Sequence, residues 1–234
     1  MKALIISDVH SNLKGLEAIF RAEPNYDVLY CAGDLVDVGL HPKEVIHILR
    51  ERGAICVKGN HDERVISAYR SGMDLWSIPH TELDWMHDNA RRLDEEDIVY
   101  LEHLPERVQF ELDGIGYSLQ HSYDGYNTID RASQFMAYWE QVTSPSIRDA
   151  AEKRLIFGHT HRQGVHYVND RCLWLNPGSA SYTRPDDPVR GAHYIVIDNG
   201  HIRLKHADYE GSMIREEMGQ YWQQLRSAMA SEGQ

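Results

Sequence analysis

Seven side chains of metal-binding type stand in five short clusters of this 234-residue chain. They are Asp8 and His10 in Asp8-Val9-His10, Asp34 in Gly33-Asp34, and Asn60 in Gly59-Asn60-His61-Asp62, followed by His121 and by His159 and His161 in Gly158-His159-Thr160-His161. The donors are carboxylate, amide and imidazole, with no thiolate. Such a set suits first-row divalent ions, Mn²⁺ or Fe²⁺ foremost and Ni²⁺, Co²⁺ or Zn²⁺ as well, and suits Ca²⁺ poorly. Seven ligands are too many for one tetrahedral site and fit two ions that share a carboxylate. In D-x-H and H-x-H, residues i and i+2 lie on one side of an extended segment, so both can reach one centre. The glycines before Asp34, Asn60 and His159 allow close backbone approach.

Two divalent ions about 3.5–4 Å apart are suited to hydrolytic phosphoryl transfer: they hold a bridging hydroxide and stabilise charge on the phosphorus oxygens. The leaving alkoxide also needs a proton, and His61, next to Asn60, is the natural general acid. Asp62 is expected beside it in the catalytic set, with Asp62 or Asp37 orienting a histidine. Asn60 and His61 are also expected to touch the substrate.

The elements that would position these residues follow from hydropathy. Residues 2–7, 27–32 and 54–58 read as strands, and 12–22, 42–52 and 61–71 as helices, a β-α-β-α-β-α order that implies parallel strands. Residues 81–93 and 95–104 have amphipathic helical spacing. Hairpins are expected around Asp113-Gly114, Asn169-Asp170 and Asp198-Asn199-Gly200. Residues 129–141 and 213–230 read as helices, and 154–157 as a strand leading into Gly158. Each metal-type cluster begins where a predicted strand stops, which is where α/β sheets bind their ligands. A single domain over 1–234 is expected, with a helical insert near 72–105 and a cap segment near 123–150.

Composition narrows the function further. Lys and Arg number 24 against 36 Asp and Glu, so the formal charge is −12. That argues against a protein that grips long duplex DNA, but a local positive site can still take a small phosphoester. No apolar run approaches the ~20 residues of a membrane span, and residues 1–8 turn acidic too soon for a signal peptide. Cys31, Cys56 and Cys172 are far apart and form no C-x-x-C, as expected of buried thiols in a reducing, cytoplasmic setting. Oligomeric state has no signal here.

The ordered series D-x-H, G-D, G-N-H-D, H and G-H-T-H resembles the calcineurin-like metallophosphoesterase superfamily, and within it the small bacterial and archaeal phosphodiesterase-type members. Asn176-Pro177-Gly178-Ser179 also stands where those members carry N-P-G-S. The resemblance runs from residue 4 to about residue 197. It implies an α/β fold, a four-layer α/β/β/α sandwich. It also implies that Asp8, His10 and His161 bind one metal, that Asp34 bridges, that Asn60, His121 and His159 complete the second site, and that His61 is the catalytic histidine.

Two departures stand out. Ser122 follows His121 where relatives often carry Gly, and the run from Ser179 to Pro185 is longer than the usual form, which leaves Arg184 as the expected phosphate contact. The function implied is phosphodiester hydrolysis. The alternative is a phosphomonoesterase of the protein phosphatase or dinucleoside polyphosphate hydrolase type. Those relatives often read G-D-x-x-D-R-G and G-N-H-E, where this chain has Asp37-Val38-Gly39 and Gly59-Asn60-His61-Asp62. A non-catalytic scaffold of the same fold would have lost ligands, and here none is missing.

Overall fold

The strand Lys2–Ile6 (β1) is buried on both faces, and its two faces belong to different cores. Ala3 and Ile5 point into a cluster shared with Tyr117, Leu119, Ile156 and Leu175, while Leu4 and Ile6 point into one shared with helical residues such as Leu16, Ile19 and Val45. Alternating side chains on a doubly covered strand produce the continuous apolar run seen in the sequence. The computed structural model describes residues 1–79, 82–123, 128–210 and the positions 220, 223, 224 and 227. Most of the helix expected over 213–230 lies outside the described residues, as does Thr81 of the helix expected over 81–93.

Two five-stranded mixed sheets form the centre. The first joins β1 to Val28–Cys31 (β2), Ile55–Cys56 (β3), Ala192–Asp198 (β9) and His201–Ala207 (β10), in the order β10-β9-β1-β2-β3. β1, β2 and β3 run parallel, with Ile5 beside Tyr30 and Cys31 beside Cys56. The second joins Arg107–Leu112 (β4), Ile115–Gln120 (β5), Glu152–Ile156 (β6), Gly164–Tyr167 (β7) and Cys172–Asn176 (β8), in the order β4-β5-β6-β8-β7. β5, β6 and β8 run parallel.

The three expected hairpins are β4–β5, β7–β8 and β9–β10. In the first, Asp113 and Gly114 have φ of 54° and 78°; in the third, Asn199 and Gly200 have 49° and 76°. Two successive left-handed residues match the twist of paired strands, and Asp, Asn and Gly tolerate that conformation best.

Helices cover both outer faces. Leu13–Ala22 (α1), Pro42–Glu51 (α2) and Asn60–Arg70 (α3) lie on the first sheet. Asn12 caps α1 by accepting from the Gly15 amide at 3.0 Å. The 72–105 segment forms a short 3₁₀ turn and the helices Trp85–Arg92 (α4) and Glu95–Glu102 (α5). Ala90, Ile98 and Leu101 share one core with Leu4 and Ile6, so this segment packs into the same helical layer. On the second sheet, Ala132–Val142 (α6) sets Phe135, Trp139 and Val142 against Leu155, Phe157 and Trp174. The layer order is therefore α/β/β/α.

Some boundaries differ from the sequence reading. The strand expected over 54–58 is regular only at Ile55–Cys56; the Val57 amide still reaches Cys31 at 3.0 Å, but the Lys58 amide donates to the Pro105 carbonyl instead. The helix expected from residue 129 starts at Ala132, and the Ile129 carbonyl instead accepts from the Trp174 indole at 2.9 Å. A short helix, Pro145–Arg148 (α7), was not expected.

Ile5 has no exposed surface and lies between the sheets. Ile5→Ala is expected to cost about 2–5 kcal/mol in urea unfolding, whereas Leu204→Ala on half-exposed β10 should cost far less.

Candidate metal centre

Five loops leave the carboxyl ends of β1, β2, β3, β5 and β6 on one edge of the sandwich, and all seven metal-type side chains stand on or just after them. Cross-loop backbone bonds hold the loops together. The Asp8 amide donates to the Gly33 carbonyl at 3.0 Å, His10 to Asp34 at 3.0 Å, and Gly158 to His121 at 2.9 Å. A Cβ on Gly59 would stand 2.1 Å from Asp34 Oδ1, and one on Gly158 would stand 2.0 Å from Ser7 Oγ. The loops approach so closely there that only glycine fits.

The side chains form two groups. In the first, His161 Nε2 lies 3.2 Å from Asp8 Oδ1 and 3.1 Å from His10 Nε2. In the second, His121 Nε2 lies 3.2 Å from Asp34 Oδ2 and 2.9 Å from Asn60 Oδ1, and His159 Nδ1 lies 3.0 Å from the same Asn60 oxygen. Asp34 Oδ2 is also 3.8 Å from His10 Nε2, so this carboxylate faces both groups.

The donors fit divalent ions on two counts. Two ring nitrogens each about 2.1 Å from one ion and near a right angle apart would be about 3 Å from each other, the spacing of His10 and His161. Within each of the sets Asp8-His10-His161 and Asp34-His121-His159, the donor atoms lie within 4.8 Å of one another.

The electrostatics differ between the groups. Burial drives the His10 pKa down to about 3, against the pull of Asp34, so its ring is neutral, the state in which imidazole binds metal. Burial would also lower the His121 pKa, but Asp34 and Asp8 outweigh it and push it up to about 10. Burial would raise the Asp8 and Asp34 carboxyls, yet the neighbouring histidines hold both below the usual range. The pair of buried carboxylates thus demands a positive charge at this spot, which a proton or a divalent ion can supply.

The backbone carries the same mark. Asp8, His10, Asp34, His159 and His161 have φ of 53°, 49°, 54°, 69° and 57°. Left-handed backbone is uncommon outside glycine and concentrates at functional sites.

His61 stands at the rim. Its Nδ1 lies 2.7 Å from Asp37 Oδ2, its amide donates to Asp34 Oδ1 at 2.8 Å, and its ring meets His10 edge-on at 4.8 Å. Burial would lower its pKa, but the hydrogen bond to Asp37 and the charges of Asp34 and Asp37 outweigh it and raise it. Asp62, expected in the catalytic set, faces elsewhere. Its fully buried carboxylate accepts from the amides of Leu35 and Val36 at 2.8 and 3.1 Å and from Gly59 at 2.9 Å. It ties the Asp34 loop to the Asn60 loop and touches neither His61 nor a metal donor through these bonds. Of the two carboxylates expected near the histidine, it is Asp37 that pairs with the His61 ring, while these bonds of Asp62 run to loop amides.

Arg184 donates to Asp186 at 3.0 Å and to the Thr160 carbonyl, between His159 and His161, at 3.3 Å. The Asn176-Pro177-Gly178-Ser179 segment acts as a clip. Asn176 Nδ2 donates to the Gly158 carbonyl at 2.7 Å, and Ser179 Oγ donates to the Asp8 carbonyl at 2.9 Å. Sequence reasoning missed Tyr182, whose buried ring stacks on His10 at 5.4 Å and meets His161 at 4.6 Å.

The model for the calcineurin-like phosphoesterase superfamily domain matches residues 1–200. A curated protein of Methanocaldococcus jannaschii is 24% identical over 220 residues, covering 86% of this chain and 84% of its own length. A crystal structure of a metallophosphoesterase from Sphaerobacter thermophilus is 24% identical with a TM-score of 0.67, covering 90% of both chains. A protein structure from Pyrococcus horikoshii OT3 is 15% identical with a TM-score of 0.73, covering 96% of this chain and 93% of the other. With the family model spanning most of its length, and with this sandwich and these ordered clusters, the chain belongs to the calcineurin-like phosphoesterase superfamily.

Proposed function

We propose that this protein is a phosphoesterase dependent on two divalent ions, Mn²⁺ or Fe²⁺ foremost, and that it hydrolyses a small phosphodiester with His61 as general acid. The observation that carries the reading is the pairing of His61 with Asp37 at 2.7 Å beside the two donor groups. Asp8, His10 and His161 would hold one ion, and Asn60, His121 and His159 the other, with Asp34 between them. Ions bound there supply Lewis-acid charge for the phosphoryl oxygens and for activating water.

The chain's own part is positioning and proton transfer. Asp37 holds His61 Nδ1, which leaves Nε2 to carry the transferable proton. As a water oxygen bonds to phosphorus and the P–O bond to the alcohol breaks, the Nε2 proton passes to the departing oxygen. The proton lost by the water returns the imidazole to its starting state through solvent. A polar cleft of about 220 Å³ opens beside Asn60 and His121, lined also by Lys58 and Arg107 and by Glu63 and Glu106. Its size suits the distal part of a small polar substrate.

Val38 supports the diester reading. It stands where monoester-hydrolysing relatives often carry Arg, and a diester has one less charge to offset. Arg64 favours the second reading, phosphomonoester hydrolysis, because its guanidinium lies 3.3 Å from Asp37 Oδ2 beside His61. The three buried free thiols fit a reducing, cytoplasmic setting. Among the described residues no helix is long and apolar enough to cross a membrane.

The first test is hydrolysis of bis(p-nitrophenyl) phosphate and p-nitrophenyl phosphate with Mn²⁺, Ni²⁺ or EDTA. The expected result is metal-dependent turnover, faster on the diester; no turnover on either ester would refute the reading. His61→Ala should retain metal by elemental analysis and lose about 10²–10⁴-fold in turnover. Little bound metal in the wild-type protein would indicate a scaffold instead.

The second test is pH dependence. The acid must be protonated, so activity falls as pH rises through the His61 pKa. Asp37 contributes to keeping that pKa up. Asp37→Asn should therefore move the alkaline limb of kcat to lower pH than in the wild type. An unmoved limb would show that His61 is not the titrating acid.

A further inference from the structure

The Asp37 carboxylate that holds His61 sits in an unusual turn. Asp37 and Val38 are both left-handed, with φ of 71° and 69°, and for a β-branched residue such as Val38 that conformation is a genuine outlier. Within the turn, the Val38 amide donates to Asp37 Oδ1 at 2.8 Å, while Oδ2 faces His61 at 2.7 Å and the Arg64 guanidinium at 3.3 Å. The turn needs something outside itself to hold it.

The backbone of the turn is held by one side chain of α4. Asn89 is fully buried, and its amide makes four hydrogen bonds. Its Oδ1 accepts from the Asp37 amide at 3.0 Å and from Ser11 Oγ at 2.5 Å. Its Nδ2 donates to the Gly39 carbonyl at 2.8 Å and to the Trp85 carbonyl at 3.1 Å. The amide therefore grips the Asp37-Val38-Gly39 turn at both ends. Through Ser11 it also grips the residue after His10. Two donors meet the oxygen and two carbonyls meet the nitrogen, so the arrangement is complete and has one orientation. A fully satisfied buried network of this kind defines a single geometry.

We infer that Asn89 is a positioning residue for proton donation: it holds the Asp37 turn so that Asp37 presents His61 to the departing oxygen. This inference rests on the reading of His61 as general acid. On that reading the 72–105 segment is joined to the chemistry through one amide. An acid that is poorly presented matters most when the leaving group is a poor one. An aryl ester with an acidic phenol can depart with little protonation, whereas a less acidic phenol depends on it.

The test uses the full chain loaded with Mn²⁺ and two diaryl phosphates, p-nitrophenyl and unsubstituted phenyl. Asn89→Ala should retain wild-type metal content and lose roughly tenfold more kcat on the phenyl ester than on the p-nitrophenyl ester, a part of the about 10²–10⁴ a general acid supplies. His61→Ala is the reference and should show a larger difference of the same kind. Arg92→Ala, on the same helix but outside the turn contacts, should show none. Equal losses of Asn89→Ala on both esters, or no loss, would overturn the inference while His61→Ala still discriminates between them. If His61→Ala itself lowers both rates equally, it is the general-acid reading that fails. Should Asn89→Ala melt below the assay temperature, Asn89→Asp keeps an acceptor for the Asp37 amide but loses the donor to Gly39. It carries the same comparison, with the same two outcomes.

Discussion

Two carboxylates buried side by side are the constraint around which this structure is arranged. Asp8 and Asp34 have almost no exposed surface, and four imidazoles surround them. An unpaired buried charge costs several kcal/mol even after relaxation. The chain meets that cost by bringing loops from both sheets to one edge and aiming nitrogen donors at the acidic pair. The opposite pKa shifts of His10 and His121 follow from the same arrangement. His10 is fully buried and stays neutral, while His121 lies against Asp34 Oδ2 and takes up positive charge. A divalent ion in each group would relieve both carboxylates more fully than protons can.

The backbone is strained to achieve this. Five of the metal-type residues are left-handed, at a cost of about 1–2 kcal/mol each for residues with a Cβ. Together that approaches the net stability of an ordinary domain. Such strain persists only where the surroundings over-determine it. The clips described above do this work: Asp62 across three amides, Asn176 and Ser179 across the Gly158 and Asp8 loops, and Asn89 across the Asp37 turn. Each is a buried polar group with its partners in place, so each adds rigidity without leaving a lone donor or acceptor.

How much of this was legible in the sequence depends on the range of the interaction. The β1 run and the Asp113-Gly114 turn are local patterns, and both elements formed where expected. The convergence of the five clusters was also legible, because the ends of parallel strands share an edge. What was not legible depends on tertiary contact. Asp62 and Asp37 are both acidic residues near His61 in pattern, and the choice between them is made by the path of the Asp34 loop, which brings Leu35 and Val36 onto Asp62. Tyr182 and Asn89 lie 172 and 79 residues from His10, and no spacing rule joins them to it. β3 is two residues long: the Val57 amide still donates to Cys31 of β2 at 3.0 Å, but the Lys58 amide turns to the Pro105 carbonyl, just before Asn60 and His61.

The acidic composition fits the same logic. The chain as a whole carries a formal charge of −12, and a phosphoester approaching it meets repulsion that salt screens beyond about 8–10 Å. At the site itself two divalent ions would contribute +4 against the −2 of Asp8 and Asp34. The local sign is then opposite to the global one, and the field near the cleft is set by groups within a few ångströms. A short substrate feels mainly that local field. A long duplex would also meet the net negative charge of the chain beyond it. On the proposed function, the charge balance would therefore bear on substrate size as well as substrate sign, in favour of a compact phosphoester at a site made locally positive by its ions.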